Sequence, residues 1–298
     1  MSITSANQKR KRRRGDRADG RLLRTVSPMS LVALYIMKER NDASNMYTEA
    51  LEIKEMEKYI MQKRKDGMKG LGILHVVIAA YIRTVAKYPG INRFISGQRI
   101  YARNNVQTML TIKKVLDVNA PDTVIKLTFQ PNADINTVYN AFTQEIAKNK
   151  DMSEESDFDK TAAILMKLPR LILRFVVGFL KFLDYFGMLP KFLMEVSPFH
   201  GSFFITSMGS LGIPAIFHHL YNFGNVPIFC SFGAKRTDYA TGPLGLPIEK
   251  KFVDFSYVLD ERICDGHYYA TAFKYMREIL KNPSVLDQAP EIVNEDIE

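Results

Sequence analysis

The segment Tyr257-Val-Leu-Asp260-Glu261-Arg262-Ile-Cys-Asp265-Gly266-His267 decides the fold of this 298-residue chain. The apolar run before it, residues 252–259, predicts a strand. The Asp265-Gly266 pair predicts a tight turn. Residues 268–280 predict a helix, which must end before Pro283 because proline cannot continue it. The segment therefore joins a strand to a helix through a short loop rich in charged residues.

This arrangement resembles the active-site segment of the chloramphenicol acetyltransferase family and of the acyltransferase cores of 2-oxo acid dehydrogenase complexes. Those families carry His-x-x-x-Asp-Gly, in the latter usually within Asp-His-Arg-x-x-Asp-Gly. The present chain reads Asp260-Glu261-Arg262-Ile-Cys-Asp265-Gly266. Every element of the signature is present except the histidine, and Glu261 occupies its place.

Three further segments carry the same resemblance, in the same order and at similar spacing. They are Tyr88-Pro-Gly-Ile-Asn-Arg-Phe94, Gly201-Ser-Phe-Phe-Ile-Thr-Ser-Met-Gly209 with Gly212 after it, and Lys281-Asn-Pro283. The resemblance thus spans roughly residues 20–290. Neither a lipoyl domain nor a subunit-binding domain precedes it, so we expect a stand-alone relative without covalently bound lipoate.

The resemblance implies an α/β fold, a chloramphenicol acetyltransferase-like two-layer sandwich in which a mixed β-sheet packs with helices. It also implies a homotrimer with active sites at the subunit interfaces. We expect a basic disordered tail at residues 1–20 and one acyltransferase-like domain at residues 21–298. A long hydrophobic helical insert at about residues 162–196 exceeds what those cores normally have.

In the resembled families a base removes a proton from an acceptor, which attacks the thioester of an acyl-coenzyme A. A hydroxyl group stabilises the oxyanion that forms. Carried over by position, Thr206 is the oxyanion donor and Glu261 the base. Asp265 is structural, with Arg21 or Arg24 as its ion-pair partner. Beside Thr206, the predicted contacts with coenzyme A are Ser207 and Gly209.

The chain departs from the family at the base, since an ordinary carboxyl group, with a pKa near 4.3, is a poor base for a thiol. Glu261 is suited to orienting an amine or a hydroxyl acceptor. His218 and His219 follow the glycine-rich turn and are candidate substitute bases. The other hypothesis is a catalytically inactive trimeric binding or scaffold protein that kept the fold and lost the base. Two adjacent histidines lack the spacing of a helical metal site, so we expect no metal.

Composition sets the remaining limits. Only two cysteines occur in the chain, which excludes a disulfide framework and favours a cytoplasmic location. The net charge is +9, and six consecutive cations lie at residues 9–14. That block is typical of a solvated tail, a nucleic-acid arm or an anchor to anionic lipid. No DNA-binding or RNA-binding pattern follows it, which argues against nucleic acid as a partner.

The insert at residues 162–196 is apolar except for a stripe of cations. Lys167, Arg170, Arg174 and Lys181 recur every three or four residues, which places them on one side of a helix opposite a wide apolar face. Such a helix packs either against the core or a neighbouring subunit, or on a membrane surface. A membrane-spanning helix is excluded by the cost of four cations in hydrocarbon.

Overall fold

The computed structural model describes residues 11–113, 122–148, 163, 165–242 and 245–298. Its helices are α1 (Pro28–Ile36), α2 (Lys54–Lys65), α3 (Ile73–Lys87), α4 (Ile135–Lys148), α5 (Arg170–Tyr185), α6 (Lys191–Val196) and α7 (Gly266–Lys281). Its strands are β1 (Gly20–Leu22), β2 (Ser44–Glu52), β3 (Arg93–Ser96), β4 (Arg99–Arg103), β5 (Val106–Lys113), β6 (Asp122–Phe129), β7 (Phe203–Ser207), β8 (Ile228–Thr241) and β9 (Pro247–Asp260).

Six strands form one mixed sheet in the order β2-β9-β8-β7-β5-β6. Strand β7 runs parallel to both of its neighbours, and the other pairs are antiparallel. Helices α3 and α7 pack together on one side of this sheet. A smaller sheet, β1-β4-β3, lies beside it. The predicted α/β sandwich with a mixed sheet is confirmed.

The main core lies between the sheet and helix α3, whose residues from His75 to Ala86 are all buried. Tyr81 stacks on Phe203 of β7 with ring centroids 4.2 Å apart. Helix α7 begins at Asp265, whose side chain accepts a hydrogen bond from the backbone N–H of Tyr268 at 2.8 Å. This N-cap satisfies one of the free N–H groups of the helix. It also fixes the end of the loop at residues 261–265, which we call the motif loop.

A second, smaller apolar cluster lies on the opposite face of the sheet. Side chains alternate between the two faces of a strand, and Met109, Phe204, Phe229 and Val258 occupy the face away from α3. Leu220 and Val226, from the segment at residues 212–227, pack on them. A loop, with no helix assigned in it, therefore covers this part of the second face.

Strands β8 and β9 are each 14 residues long, and β9 begins five residues before the predicted strand at residues 252–259. Their outer halves pair in register from Lys235–Val253 to Thr241–Pro247. Both outer halves are largely exposed and polar, so the sequence lacks the one-sided apolar alternation on which strand prediction depends.

Two predicted boundaries are corrected by the structure. The tail was predicted to reach residue 20, yet Arg17 is only 5 % exposed and Gly20 opens β1; residues 1–10 lie outside the described residues. The insert is not one continuous helix over its described residues, because Gly187, with φ of 70°, follows the end of α5 and Pro190 precedes α6. Residues 150–160, which are rich in serine and acidic residues, predict a loop, and they lie outside the described residues.

No residue of α5 is buried, so the predicted alternative of a helix packed into the core of its own chain is wrong. Within the described part of the chain, no helix combines the length and the apolar character needed to cross a bilayer.

Candidate active site

The motif loop is built on a buried ion-pair cluster. Asp260, at the end of β9, accepts hydrogen bonds from Arg262 Nε and Nη2, each at 2.8 Å. Arg40 Nε donates to Asp260 Oδ2, the oxygen that also accepts from Arg262 Nη2, at 3.3 Å. Burial lowers the pKa of Arg40, and the neighbouring Asp260 opposes that shift. Charges taken out of water need this kind of pairing, so the cluster fixes the path of the loop.

Glu261 lies between the two buried members of this cluster and points the other way. Its backbone N–H donates to the Ala43 carbonyl oxygen at 2.9 Å, which ties the loop to the start of β2. Its side chain is exposed and, among the described residues, makes no hydrogen bond or ion pair. The loop therefore holds its backbone rigidly while it presents the carboxylate of residue 261 to solvent.

Asp265 has the structural position expected of it but a different partner. It caps α7 and is exposed. The predicted arginine partners bind elsewhere: Arg21 donates to the carbonyl oxygens of Asp296 and Ile297, and Arg24 pairs with Asp16 at 3.0 Å. The described contacts of Arg21 and Arg24 thus run to the C-terminal residues and to Asp16, and an ion pair of either arginine with Asp265 stays a prediction.

Thr206 lies on the second face of the sheet. The strand register pairs Thr206 with Ser231, Ser231 with Ser256 and Ser256 with Thr48, giving a row of four hydroxyl side chains across β7, β8, β9 and β2. Ser231 is buried and its hydroxyl exchanges hydrogen bonds with the backbone of Ile216. Thr206 is half-buried, and within the described contacts its hydroxyl is unbonded, so it is free to donate to a substrate oxygen.

Ser207 and Gly209 do not join Thr206 on that face. Alternation along β7 places Ser207 on the opposite side, in register with Phe232 of the main core. Gly209 begins a short turn in which a Cβ would lie 3.6 Å from Ser207 Oγ. These two residues support the turn after β7, and their predicted contact with coenzyme A stays a prediction.

The two predicted histidines lie on the loop that covers the second face. The His218 ring stacks on Phe229 with centroids 4.3 Å apart, and its Nε2 is buried without a hydrogen-bond partner. Burial, with a smaller contribution from His219, lowers the pKa of His218. His219 is exposed at the mouth of a small apolar pocket that is also lined by Phe199, Phe204 and Leu220.

Within one chain, Glu261 and Thr206 lie too far apart to reach the same thioester carbonyl group. The register places Thr206 level with Ser256, two strands away, and Glu261 follows Ser256 by five residues. With about 3.3 Å per residue and 4.8 Å between strands, the two Cα atoms are roughly 19 Å apart. A site that uses both side chains therefore needs two copies of the chain.

A second polar cluster, absent from the sequence predictions, lies at the junction of the N-terminal segment and the insert. Arg17 Nη2 donates to Asp184 Oδ1 at 2.8 Å and Arg17 Nε donates to Asp19 Oδ1 at 2.9 Å. His200 Nε2 lies 3.7 Å from Asp184. Burial alone would raise the pKa of Asp184, but His200 and Arg17 lower it to about 2. Both partners of Asp184 are distant in sequence, so no local pattern signals this cluster.

Among the described residues, no group of three or more histidine, cysteine, aspartate or glutamate side chains is arranged to hold a metal ion. Comparison by sequence finds no matching family model and no matching curated protein.

Solved structures do match. A probable dihydrolipoamide acetyltransferase from Listeria monocytogenes is 11% identical, with a TM-score of 0.55 over 87% of this chain and 93% of that one. Chloramphenicol acetyltransferase is 11% identical, with a TM-score of 0.56 over 88% and 99%. A catalytic core of the 2-oxoacid dehydrogenase multienzyme complex from Thermoplasma acidophilum is 10% identical, with a TM-score of 0.53 over 88% and 99%. The chain has the fold of these acyltransferases.

Proposed function

We propose that this protein transfers an acyl group from a coenzyme A thioester, or from a carrier thioester, to a nucleophilic acceptor. The site is formed between two copies of a homotrimer, with Thr206 from one copy and Glu261 from its neighbour. The observation that carries this proposal is the motif loop. Its Arg40–Asp260–Arg262 cluster is intact and holds Glu261 in solvent, away from any described partner.

The chemistry follows from the two side chains. The Glu261 carboxylate accepts a proton from an amine or hydroxyl acceptor, whose nitrogen or oxygen attacks the thioester carbonyl carbon. The carbonyl electrons move to oxygen, and the Thr206 hydroxyl donates a hydrogen bond to that oxyanion. When the intermediate collapses, the carbon–sulfur bond breaks and the departing thiolate takes the proton from Glu261. Acyl group, proton and electrons balance without a further reactant.

Assembly as a trimer is supported by the roughly 19 Å between Thr206 and Glu261 within one chain. Support also comes from the likeness to the cubic core of the pyruvate dehydrogenase multienzyme complex, which is 14% identical, with a TM-score of 0.51 over 87% of this chain and 88% of that one. Both cysteines are free and buried, which supports a cytoplasmic location.

The inactive scaffold is the weaker hypothesis on this geometry. An unused carboxylate at this position could pair with an arginine, but the neighbouring Arg262 in sequence and Arg40 both bind Asp260 instead. His218 is also the weaker base, because its Nε2 is buried under the loop and stacked on Phe229.

Release of free thiol from acetyl-coenzyme A and from a long-chain acyl-coenzyme A, with amine and hydroxyl acceptors, tests the proposal. We expect Thr206→Ala to lower turnover by about 10²–10³, the usual effect of removing one oxyanion donor. Thr206→Ser keeps the hydroxyl and is the matched control, which should retain most of the activity.

The motif loop allows a sharper test at residue 261. Glu261→Gln should lose the base, whereas Glu261→His should restore the family's histidine on an unchanged loop and raise transfer to thiol acceptors. If activity were unchanged in Glu261→Gln but lost in His218→Gln, the base would be His218, on the loop at residues 212–227. No turnover and no thioester binding by the wild-type protein would leave the scaffold hypothesis.

A further inference from the structure

Helix α5 exposes an apolar face that no described residue of its own chain covers. Leu171 is 81 % exposed and Phe175 is 73 % exposed, and about half of the surface of Phe179 and Phe182 is exposed. The phenylalanines form a ladder along the helix, with the rings of Phe175 and Phe179 6.3 Å apart and those of Phe179 and Phe182 6.5 Å apart. Contiguous exposed apolar surface of this kind marks a docking site.

The charges of α5 show what kind of partner fits this face. At 100° per residue, Arg170, Arg174 and Lys181 fall within about 40° of each other, and their sector lies about 115° from the centre of the apolar face. These cations have no hydrogen bond or ion pair among the described residues. The acidic residue of the helix, Asp184, is already paired with Arg17.

A second group of cations lies beside the same helix. Arg17 joins the N-terminal segment to the end of α5, because its Nη1 also donates to the Asp184 carbonyl oxygen at 2.7 Å. The residues just before it, Lys11 to Arg14, are exposed. The buried junction therefore places this basic segment, in which Arg13 pairs with Glu298, near the C-terminal end of α5.

A second copy of the chain that packs its own α5 against this face fits it poorly. Two α5 helices packed through their phenylalanine ladders would bring the cationic sectors of two chains together, and like charges across an interface are costly. Helix α1 is the better surface for a protein partner: Met29, Val32, Tyr35 and Ile36 are exposed there, and the helix has no charged residue.

We propose that α5 and the basic segment at residues 11–14 dock on an anionic lipid bilayer. The helix lies in the plane of the interface, its phenylalanine face sinks among the acyl chains, and its cations contact the lipid phosphates. An apolar face and a basic patch supply the two kinds of attraction that stable peripheral binding requires. This docking is independent of acyl transfer.

Sedimentation of the full chain with vesicles tests the proposal. Vesicles of phosphatidylcholine with about one-third phosphatidylglycerol should bind the protein, and vesicles of phosphatidylcholine alone should bind it far more weakly. The triple variant Arg170→Gln, Arg174→Gln, Lys181→Gln should lose affinity by about a hundredfold, since each cation near an anionic surface contributes a factor of about five. Lys54→Gln, Lys65→Gln, Lys69→Gln removes the same charge elsewhere and should bind as wild type.

The absence of tryptophan from the chain allows a second, background-free measurement. Phe179→Trp should show a blue-shifted emission on anionic vesicles, and Tyr35→Trp on the exposed face of α1 should not shift. Equal binding to neutral and anionic vesicles would contradict the proposal. An equal loss of vesicle affinity in the α5 triple variant and in the Lys54, Lys65, Lys69 control variant would also contradict it. So would a blue shift of Phe179→Trp without vesicles that increases with protein concentration, because that result would assign α5 to contacts between copies.

Discussion

Helices α3 and α5 are similar in composition, but one is buried and the other is exposed. Both are long apolar runs broken by a few basic residues, yet α3 is almost entirely buried and α5 has no buried residue. In α3 the polar groups find partners within the protein: His75 Nδ1 accepts from the Gly72 N–H, and Arg83 donates to the Gln288 carbonyl oxygen. In α5 the cations have none among the described residues. What separates the two helices is where their polar groups are satisfied.

Core truncation should separate the two helices most strongly. Ile78 of α3 is fully buried, and Ile78→Ala should lower the free energy of unfolding by about 2–5 kcal/mol through lost burial and the cavity left behind. Phe179→Ala on the exposed face of α5 should change it by no more than about 0.5 kcal/mol. Urea unfolding of the two variants measures both values, and similar losses would show that α5 is packed in solution.

Acid should destabilise the protein through His75 in α3. Burial lowers the pKa of His75 to about 4, whereas the unfolded chain titrates near 6.5. Between these values the unfolded state binds more protons, so stability falls as the pH drops from about 6.5 towards 4, by at most roughly 3 kcal/mol. Unfolding measured across this range should show a smaller decrease in His75→Gln than in wild type. An equal decrease in both would place the responsible group elsewhere.

A substitution at the end of α5 should have a smaller effect on stability than the changes in α3. Gly187 has a φ of 70°, and a Cβ there would lie 3.4 Å from Arg17 Cγ. Gly187→Ala should therefore cost about 1–2 kcal/mol, mainly from the left-handed backbone. Thermal unfolding measures this cost, and Gly178→Ala is the matched control inside α5, where the added methyl group meets open space and favours the helix. A neutral Gly187→Ala would mean that the two insert helices do not depend on this break.

Much of the fold could be predicted from local sequence. The apolar strand before the motif and the Asp265-Gly266 turn are each recognisable within a few residues, and the structure confirms β9 and α7. The acyltransferase fold followed from the motif order. The extended β8–β9 ribbon could not be predicted, because its polar alternation carries no burial signal.

The sequence could propose candidate site residues, but it could not predict how far apart they lie or which way they face. Motif position predicts Thr206 and Glu261, and their roles stay predictions; their separation within one chain depends on the register of three strands. The opposite orientation of Ser207 follows from alternation along β7 once that strand is placed. The Arg17–Asp184 pair joins residues far apart in the chain, and no pattern in either segment points to the other.

The most direct test of the shared site is complementation between two inactive variants. Thr206→Ala and Glu261→Gln chains, each inactive alone, are unfolded together, refolded as a mixture and assayed for thiol release. In randomly mixed trimers about a quarter of the interfaces combine an intact Thr206 with an intact Glu261, so activity should return to about a quarter of wild type. Activity that stays at the level of the single variants, in mixtures shown to contain both chains in one oligomer, would contradict a site shared between subunits.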